Sequence, residues 1–141
     1  ACFGEPFMPM HPGVYADLLS EKMAEHGSTA WLINTGWSGG AYGVGSRMKI
    51  KYTRAMLNAA LDGELDGVEY VTDERFGFEI PKSCPGVPSD VLVPRQTWQN
   101  GENYDSTADK LASMFNKNFE RYADGVSEEV NAAAPNINNL L

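Results

Sequence analysis

Apolar residues recur at helical spacing over 13–26, where Tyr15, Leu18, Leu19 and Met23 form one stripe with charges opposite. Pro12 suits the first turn of such a helix, and Gly27 suits the left-handed position just past its end. The run Ala30-Trp31-Leu32-Ile33-Asn34 then has the length and apolarity of a buried strand, so we expect a helix docking onto a sheet. From Asn34 to Arg47 the chain holds five of its 14 glycines, which predicts a loop.

Over 47–52 the residues alternate, with Arg47, Lys49 and Lys51 on one side and Met48, Ile50 and Tyr52 on the other, the period of a strand. Thr53 is placed to cap a second helix carrying Met56, Leu57, Ala60 and Leu61, which Gly63 ends. Short strands are expected over 68–72 and 76–80, paired as a hairpin. Four prolines over 81–94 predict an extended surface segment. A last helix is expected over 106–122, where Leu111, Phe115, Phe119 and Tyr122 share a stripe and Ser106 with Asp109 resembles a capping box. The tail, 132–141, lacks an amphipathic plan and is expected to fray. The pattern thus describes one α/β domain over 1–141: a mixed sheet flanked by three helices, without internal repeats.

Composition narrows the partners. With 141 residues, 43% of them hydrophobic, the chain has the size and apolarity of one domain. The formal charge of -8 argues against nucleic acid or an anionic membrane as main partner, so any anion site must be local. No apolar run reaches the length of a membrane span, and the amino end lacks a secretory pattern. Two cysteines, Cys2 and Cys84, allow at most one bridge; reduced thiols and a cytoplasmic location are expected. The chain opens Ala1-Cys2-Phe3-Gly4 without an initiator methionine, from which we expect a start inside a longer polypeptide.

Arg47, Lys49, Lys51 and Arg54 put four of eleven cations into eight residues of an acidic chain. Beside a glycine-rich loop that lets backbone N–H groups approach closely, and a helix start just downstream, they point to a phosphate or nucleotide site. The competing interpretation is a solvated basic strand face. The loop is not a Walker A motif, because no Gly-Lys-Ser or Gly-Lys-Thr follows its glycines. His11 and His26 lack metal-ligand spacing and are expected as a helix-entry residue and a last-turn cation. No nucleophile elbow occurs, and no carboxylate pair stands out. The residues offer half a binding site and no catalytic centre.

The strings themselves carry more. Ala1-Cys2-Phe3-Gly4, Pro6-Phe7, His11-Pro12, Tyr15-Ala16, Asn34-Thr35-Gly36-Trp37, Gly39-Gly40, Tyr42-Gly43, Gly45, Arg47 and Thr53-Arg54-Ala55 resemble the carboxy-terminal stretch of ATP-dependent phosphoenolpyruvate carboxykinases. Gly86-Val87-Pro88, Pro94-Arg95, Thr97-Trp98, Leu111-Ala112, Phe115 and Asn118-Phe119 resemble that family's closing segment, so the likeness covers nearly the whole chain. It implies part of a nucleotide-binding domain. It also implies a lyase that decarboxylates oxaloacetate with phosphoryl transfer from ATP, giving phosphoenolpyruvate, ADP and carbon dioxide in gluconeogenesis, with Mg and Mn. The family's P-loop, metal ligands and oxaloacetate-gripping arginines lie upstream of the matched region, so the missing amino-terminal part is the implied partner and this chain alone is expected to be inactive. What carries over is Arg47, Met48 and Thr53, which by resemblance seat the base, ribose and phosphates of ATP. Two features depart from the common pattern: Met48 stands where isoleucine is frequent, and the loop between Trp37 and Arg47 is the longer form. Ala1 to Gly4 resemble the end of a mobile lid, and Cys2 is expected to be shielded by nucleotide. The alternative is a stand-alone, non-catalytic nucleotide-binding or regulatory module.

Overall fold

The computed structural model describes residues 4–137; Cys2, with the rest of 1–3, and 138–141 lie outside the described residues. Helices dominate: α1 (Pro12–His26), α2 (Ile50–Leu61), α3 (Ser89–Leu92), α4 (Gly101–Phe119) and α5 (Glu128–Ala132). Four short strands, β1 (Trp37–Ser38), β2 (Ser46–Arg47), β3 (Tyr70–Thr72) and β4 (Glu79–Pro81), form two separate antiparallel hairpins, β1–β2 and β3–β4. The chain is therefore α/β, but the expected mixed sheet is absent among the described residues.

The first helix forms where the pattern places it. Pro12 opens it, the His11 Nδ1 accepts from the Gly13 N–H at 3.1 Å, and Gly27 ends it at φ 61° with its N–H donated to the Met23 carbonyl. It does not dock onto a sheet. Its first turn packs on the 3-10 stretch Glu120–Gly125, where Gly13 and Gly125 leave no room for a Cβ and the His11 ring meets Tyr122 edge-on at 5.9 Å. Leu18 and Leu19, on the predicted apolar stripe, remain exposed. Because the His11 ring both caps α1 and covers Gly125, His11→Ala should speed amide exchange in the first turn of α1 roughly fivefold, the equivalent of about 1 kcal/mol for a lost cap. Unchanged exchange there, measured in the complete polypeptide, would remove this role.

Residues 30–34 form no regular element and pair with no strand among the described residues, and Leu32 is 78% exposed. An apolar strand is stable only beside neighbours that take its N–H and C=O groups, and none is present among the described residues. The expected strand over 47–52 is also cut short: only Ser46–Arg47 pairs, and α2 begins at Ile50, with Lys49 at its N-cap. Thr53 is consequently not the cap. It lies inside the first turn, its N–H bonded to the Lys49 carbonyl at 3.2 Å. The buried face of α2 is Tyr52, Ala55, Met56, Ala59 and Ala60, while Leu57 and Leu61 face outward.

The β3–β4 hairpin matches expectation, with β3 shorter than expected and β4 shifted one residue past the expected end to Pro81, and with Val71 opposite Ile80. The segment over 81–94 does not lie on the surface throughout: Cys84 bridges to Val87, and both are buried with Ala59 and Leu65 in the core cluster. Helix α4 starts earlier than predicted, because the Asn100 side chain accepts from the Glu102 and Asn103 N–H groups. Ser106 is no cap; its hydroxyl donates back to the Glu102 carbonyl. The Asn116 side chain donates to the Pro135 carbonyl, and the Asn136 N–H donates to that of Arg75, which fixes the described end of the chain on the β3–β4 turn.

The core is thin. Its most deeply buried residues are alanines, Ala59 at 1% and Ala112 at 0% exposure. The molecule exposes 10485 Å². A compact monomer of 15.4 kDa would expose about 7,200 Å². The excess of about 3,000 Å² is the size of a large obligate interface.

Candidate functional site

The β1–β2 hairpin is built by local polar contacts around glycines. Asn34 Oδ1 accepts from the Gly36 N–H at 2.8 Å while its amide donates to the Trp37 carbonyl, and the Met48 N–H closes onto the Gly36 carbonyl at 2.7 Å. Trp37 stands opposite Arg47, and Ser38 opposite Ser46. Between the strands, Gly39 and Gly43 have φ of 77° and 86°, a region side chains avoid, and Gly45 lies too close to the Ser38 and Gly40 carbonyls to bear a Cβ. At the tip, Tyr42 meets Trp37 edge-on at 5.1 Å.

This hairpin delivers Arg47 to the start of α2. The Tyr52 and Thr53 N–H groups bond back to Lys49, whereas those of Ile50 and Lys51 precede the helical ladder and leave a positive helix end beside the Arg47 and Lys49 cations. Arg47 is exposed and makes no ion pair with a carboxylate among the described residues. Lys49 and Lys51 do not share a strand face with it; both ammonium groups stand over the Tyr52 ring, at 5.6 and 4.9 Å from its centroid. A groove of about 430 Å³ is lined by Arg47, Met48, Lys49 and Tyr52, by the glycine loop, and by Asp90, Thr97 and Gln99. Met48 is 8% exposed and also borders a second, largely apolar concavity of about 1010 Å³ lined by Trp31, Trp37, Met56, Phe76, Phe78, Trp98 and Leu111.

Arg47 and Met48 thus meet at one groove, and Thr53 does not line it. Tyr52, Asp90, Thr97 and Gln99 were not singled out as site residues from sequence. The available hint was Gly39: a Cβ there would stand 2.9 Å from the Thr97 carbonyl, so the glycine marks a close approach by a distant segment. Among the described residues, no group of three His, Cys, Asp or Glu side chains could hold a metal ion. His11 caps α1, and His26 lies in its last turn near Glu25. No described helix is long and apolar enough to cross a membrane.

Residues 1–90 match the family described as phosphoenolpyruvate carboxykinase. The chain belongs to that family. It is 57% identical over 134 residues to the phosphoenolpyruvate carboxykinase (ATP) 2 of Moorella thermoacetica, covering 95% of this chain and 25% of that protein. Against the phosphoenolpyruvate carboxykinase (ATP) of Flavobacterium johnsoniae the identity is 56% over 135 residues, and against that of Thermus thermophilus 55% over 135 residues. The chain spans about a quarter of the length of these carboxykinases, 25% and 26% of the last two. The resemblance carried by the Asn34-Thr35-Gly36-Trp37 string and the glycine loop is therefore a true family relation.

Cys84 is the described thiol of this carboxykinase segment. It is buried in the core cluster, and burial, helped by the charge of Glu64, pushes its pKa up. Both effects deplete the reactive thiolate, so Cys84 should react with alkylating reagents at neutral pH roughly tenfold or more slowly than a free thiol, with or without ATP. Rapid labelling of Cys84 in the complete polypeptide would contradict this burial.

Proposed function

We propose that this chain is the carboxy-terminal, nucleotide-contacting quarter of an ATP-dependent phosphoenolpyruvate carboxykinase. The complete enzyme would convert oxaloacetate and ATP to phosphoenolpyruvate, ADP and carbon dioxide, in the cytoplasm and in gluconeogenesis. The observation that carries this reading is the 57% identity across 95% of the chain to a carboxykinase four times as long.

Phosphoryl transfer depends on alignment and charge stabilisation more than on covalent help from side chains, and the hairpin supplies groups of that kind. Arg47 contributes a guanidinium with no carboxylate partner among the described residues, and the glycine loop and the α2 start contribute backbone N–H groups. Met48 offers an apolar edge to the base. Thr53 lies six positions past Arg47, inside the first turn of α2, where its hydroxyl would meet nucleotide lying across that turn. The Mg and Mn that the family resemblance implies have no ligand trio among the described residues, so their ligands are proposed to come from the rest of the polypeptide. The same remainder would cover the apolar concavity and offer strand partners to residues 30–34. That excess exposed surface weighs against the stand-alone module.

The test is an assay of the complete polypeptide carrying these 141 residues. It should decarboxylate oxaloacetate only when ATP is supplied, and a purified complete polypeptide without that activity would refute the proposal.

A further inference from the structure

Two residue pairs are too few to hold a hairpin in place by themselves, so the position of Arg47 depends on what the β1–β2 hairpin leans against. It leans on the 3-10 turn Pro94–Thr97: the Ser38 hydroxyl donates to Thr97 Oγ1 at 3.3 Å, and Gly39 passes so close to the Thr97 carbonyl that a side chain would not fit. Thr97 is held in turn, since its hydroxyl donates to the Pro94 carbonyl at 2.7 Å.

The turn is fastened to α4 by Arg95. Its Nε and Nη2 donate to the two Asp105 carboxylate oxygens, each at 3.0 Å, and its guanidinium lies over Gly101, where a Cβ would stand 2.8 Å from the guanidinium carbon. Asp105 is itself 3.6 Å from Arg75, which bonds Asp109 on the same helix. The Nε–Nη2 edge of Arg95 is thus engaged side-on with Asp105, which fixes the plane of the guanidinium against α4. The pair is too exposed to contribute much to global stability.

Building on the nucleotide role proposed for Arg47, we infer that Arg95 is a positioning residue for ATP. Through Thr97 and Ser38, the Arg95–Asp105 fork sets where the hairpin stands, and with it where the Arg47 guanidinium meets the nucleotide. A displacement of about an ångström in a binding group is enough to weaken its interaction strongly.

The test uses the complete enzyme, with the constants for ATP and oxaloacetate measured separately. Arg95→Gln should raise the apparent KM for ATP about three- to tenfold and leave that for oxaloacetate unchanged, because the role proposed for the hairpin is toward nucleotide and not toward oxaloacetate. Arg95→Lys keeps the charge but loses the fork, so it should recover part of the loss. Thr97→Val, which breaks the other link at nearly constant volume, should reproduce the nucleotide-selective defect. In an Arg47→Gln background, Arg95→Gln should add less than about twofold, since the two changes remove one interaction. If Arg47→Gln weakens ATP but Arg95→Gln and Thr97→Val do not, the inference fails and the nucleotide site stands. If Arg95→Gln raises both substrate constants while the melting temperature falls, Arg95 is merely structural and the inference is again overturned. An Arg47→Gln enzyme with unaltered ATP dependence removes the site, and this inference with it.

Discussion

The isolated 141 residues are expected to show no carboxykinase activity and to behave as an incompletely packed chain. The first expectation follows from chemistry. The P-loop lysine, the metal ligands and the arginines that grip oxaloacetate belong, by family resemblance, to the part of the enzyme upstream of this one, and no metal-binding trio occurs among the described residues. The second follows from packing. Leu18, Leu19, Leu32, Phe78 and Phe115 are all at least half exposed, α1 touches the rest mainly through its first turn, and residues 30–34 have no strand partner among the described residues. Such a chain should retain helical far-ultraviolet dichroism, bind a hydrophobic dye and melt without a sharp transition. ATP-dependent decarboxylation above a buffer control, or a sharp cooperative melt without dye binding, would be the opposite result.

Arg47→Gln in the complete enzyme should weaken the apparent ATP constant ten- to hundredfold. The hairpin holds this guanidinium at the groove beside the positive end of α2, without a carboxylate partner among the described residues, so its hydrogen-bonding capacity is open to nucleotide oxygens. Losing one or two charge-assisted hydrogen bonds costs on the order of 1.5–3 kcal/mol, which gives roughly that range. Arg47→Lys should recover only part, because an ammonium cannot pair two oxygens in a plane. Lys51→Gln is the control: Lys51 lies on α2 over the Tyr52 ring and not beside Arg47 on a strand, so its loss should act weakly and vanish with added salt. Equal and weak effects of both substitutions would return the basic segment to a solvated surface.

The Arg95–Asp105 pair adds a pH signature. Hydrogen bonds from Arg95 hold the Asp105 carboxyl below the usual carboxylate range against the opposing effect of desolvation, and the charges of Arg95 and Arg75 add to the lowering. A carboxyl lowered in the folded state contributes above its ordinary pKa, and the contribution is lost as pH falls through the folded value. The fork should therefore be intact at neutral pH and open only in acid.

Local punctuation was the most legible part of the chain. Pro12 and Gly27 fix the ends of α1, and the charged residues between 72 and 76 mark the turn of the β3–β4 hairpin, because each acts through its own backbone preferences. Elements whose existence depends on a neighbour were not legible in this way. The apolar run over 30–34 and the alternation over 47–52 carry strand chemistry, yet a strand forms only where another takes its hydrogen bonds. Four prolines hid the Cys84–Val87 bridge, and a Ser106–Asp109 spacing that mimics a capping box hid the true cap at Asn100. In the candidate site, Arg47 stood out both in the basic cluster and in the family strings, and Met48 in the strings alone. Thr97 was out of reach, since a contact across 59 positions leaves no local trace apart from Gly39.

Titrating the isolated chain with ATP separates half a clamp from a self-sufficient nucleotide module most directly. By family resemblance the metal and P-loop lysine that hold the phosphates belong to the rest of the enzyme, so the account predicts no saturable binding below about the millimolar range, where only a few kcal/mol of affinity remain. Saturable micromolar binding by the 141 residues alone would contradict it.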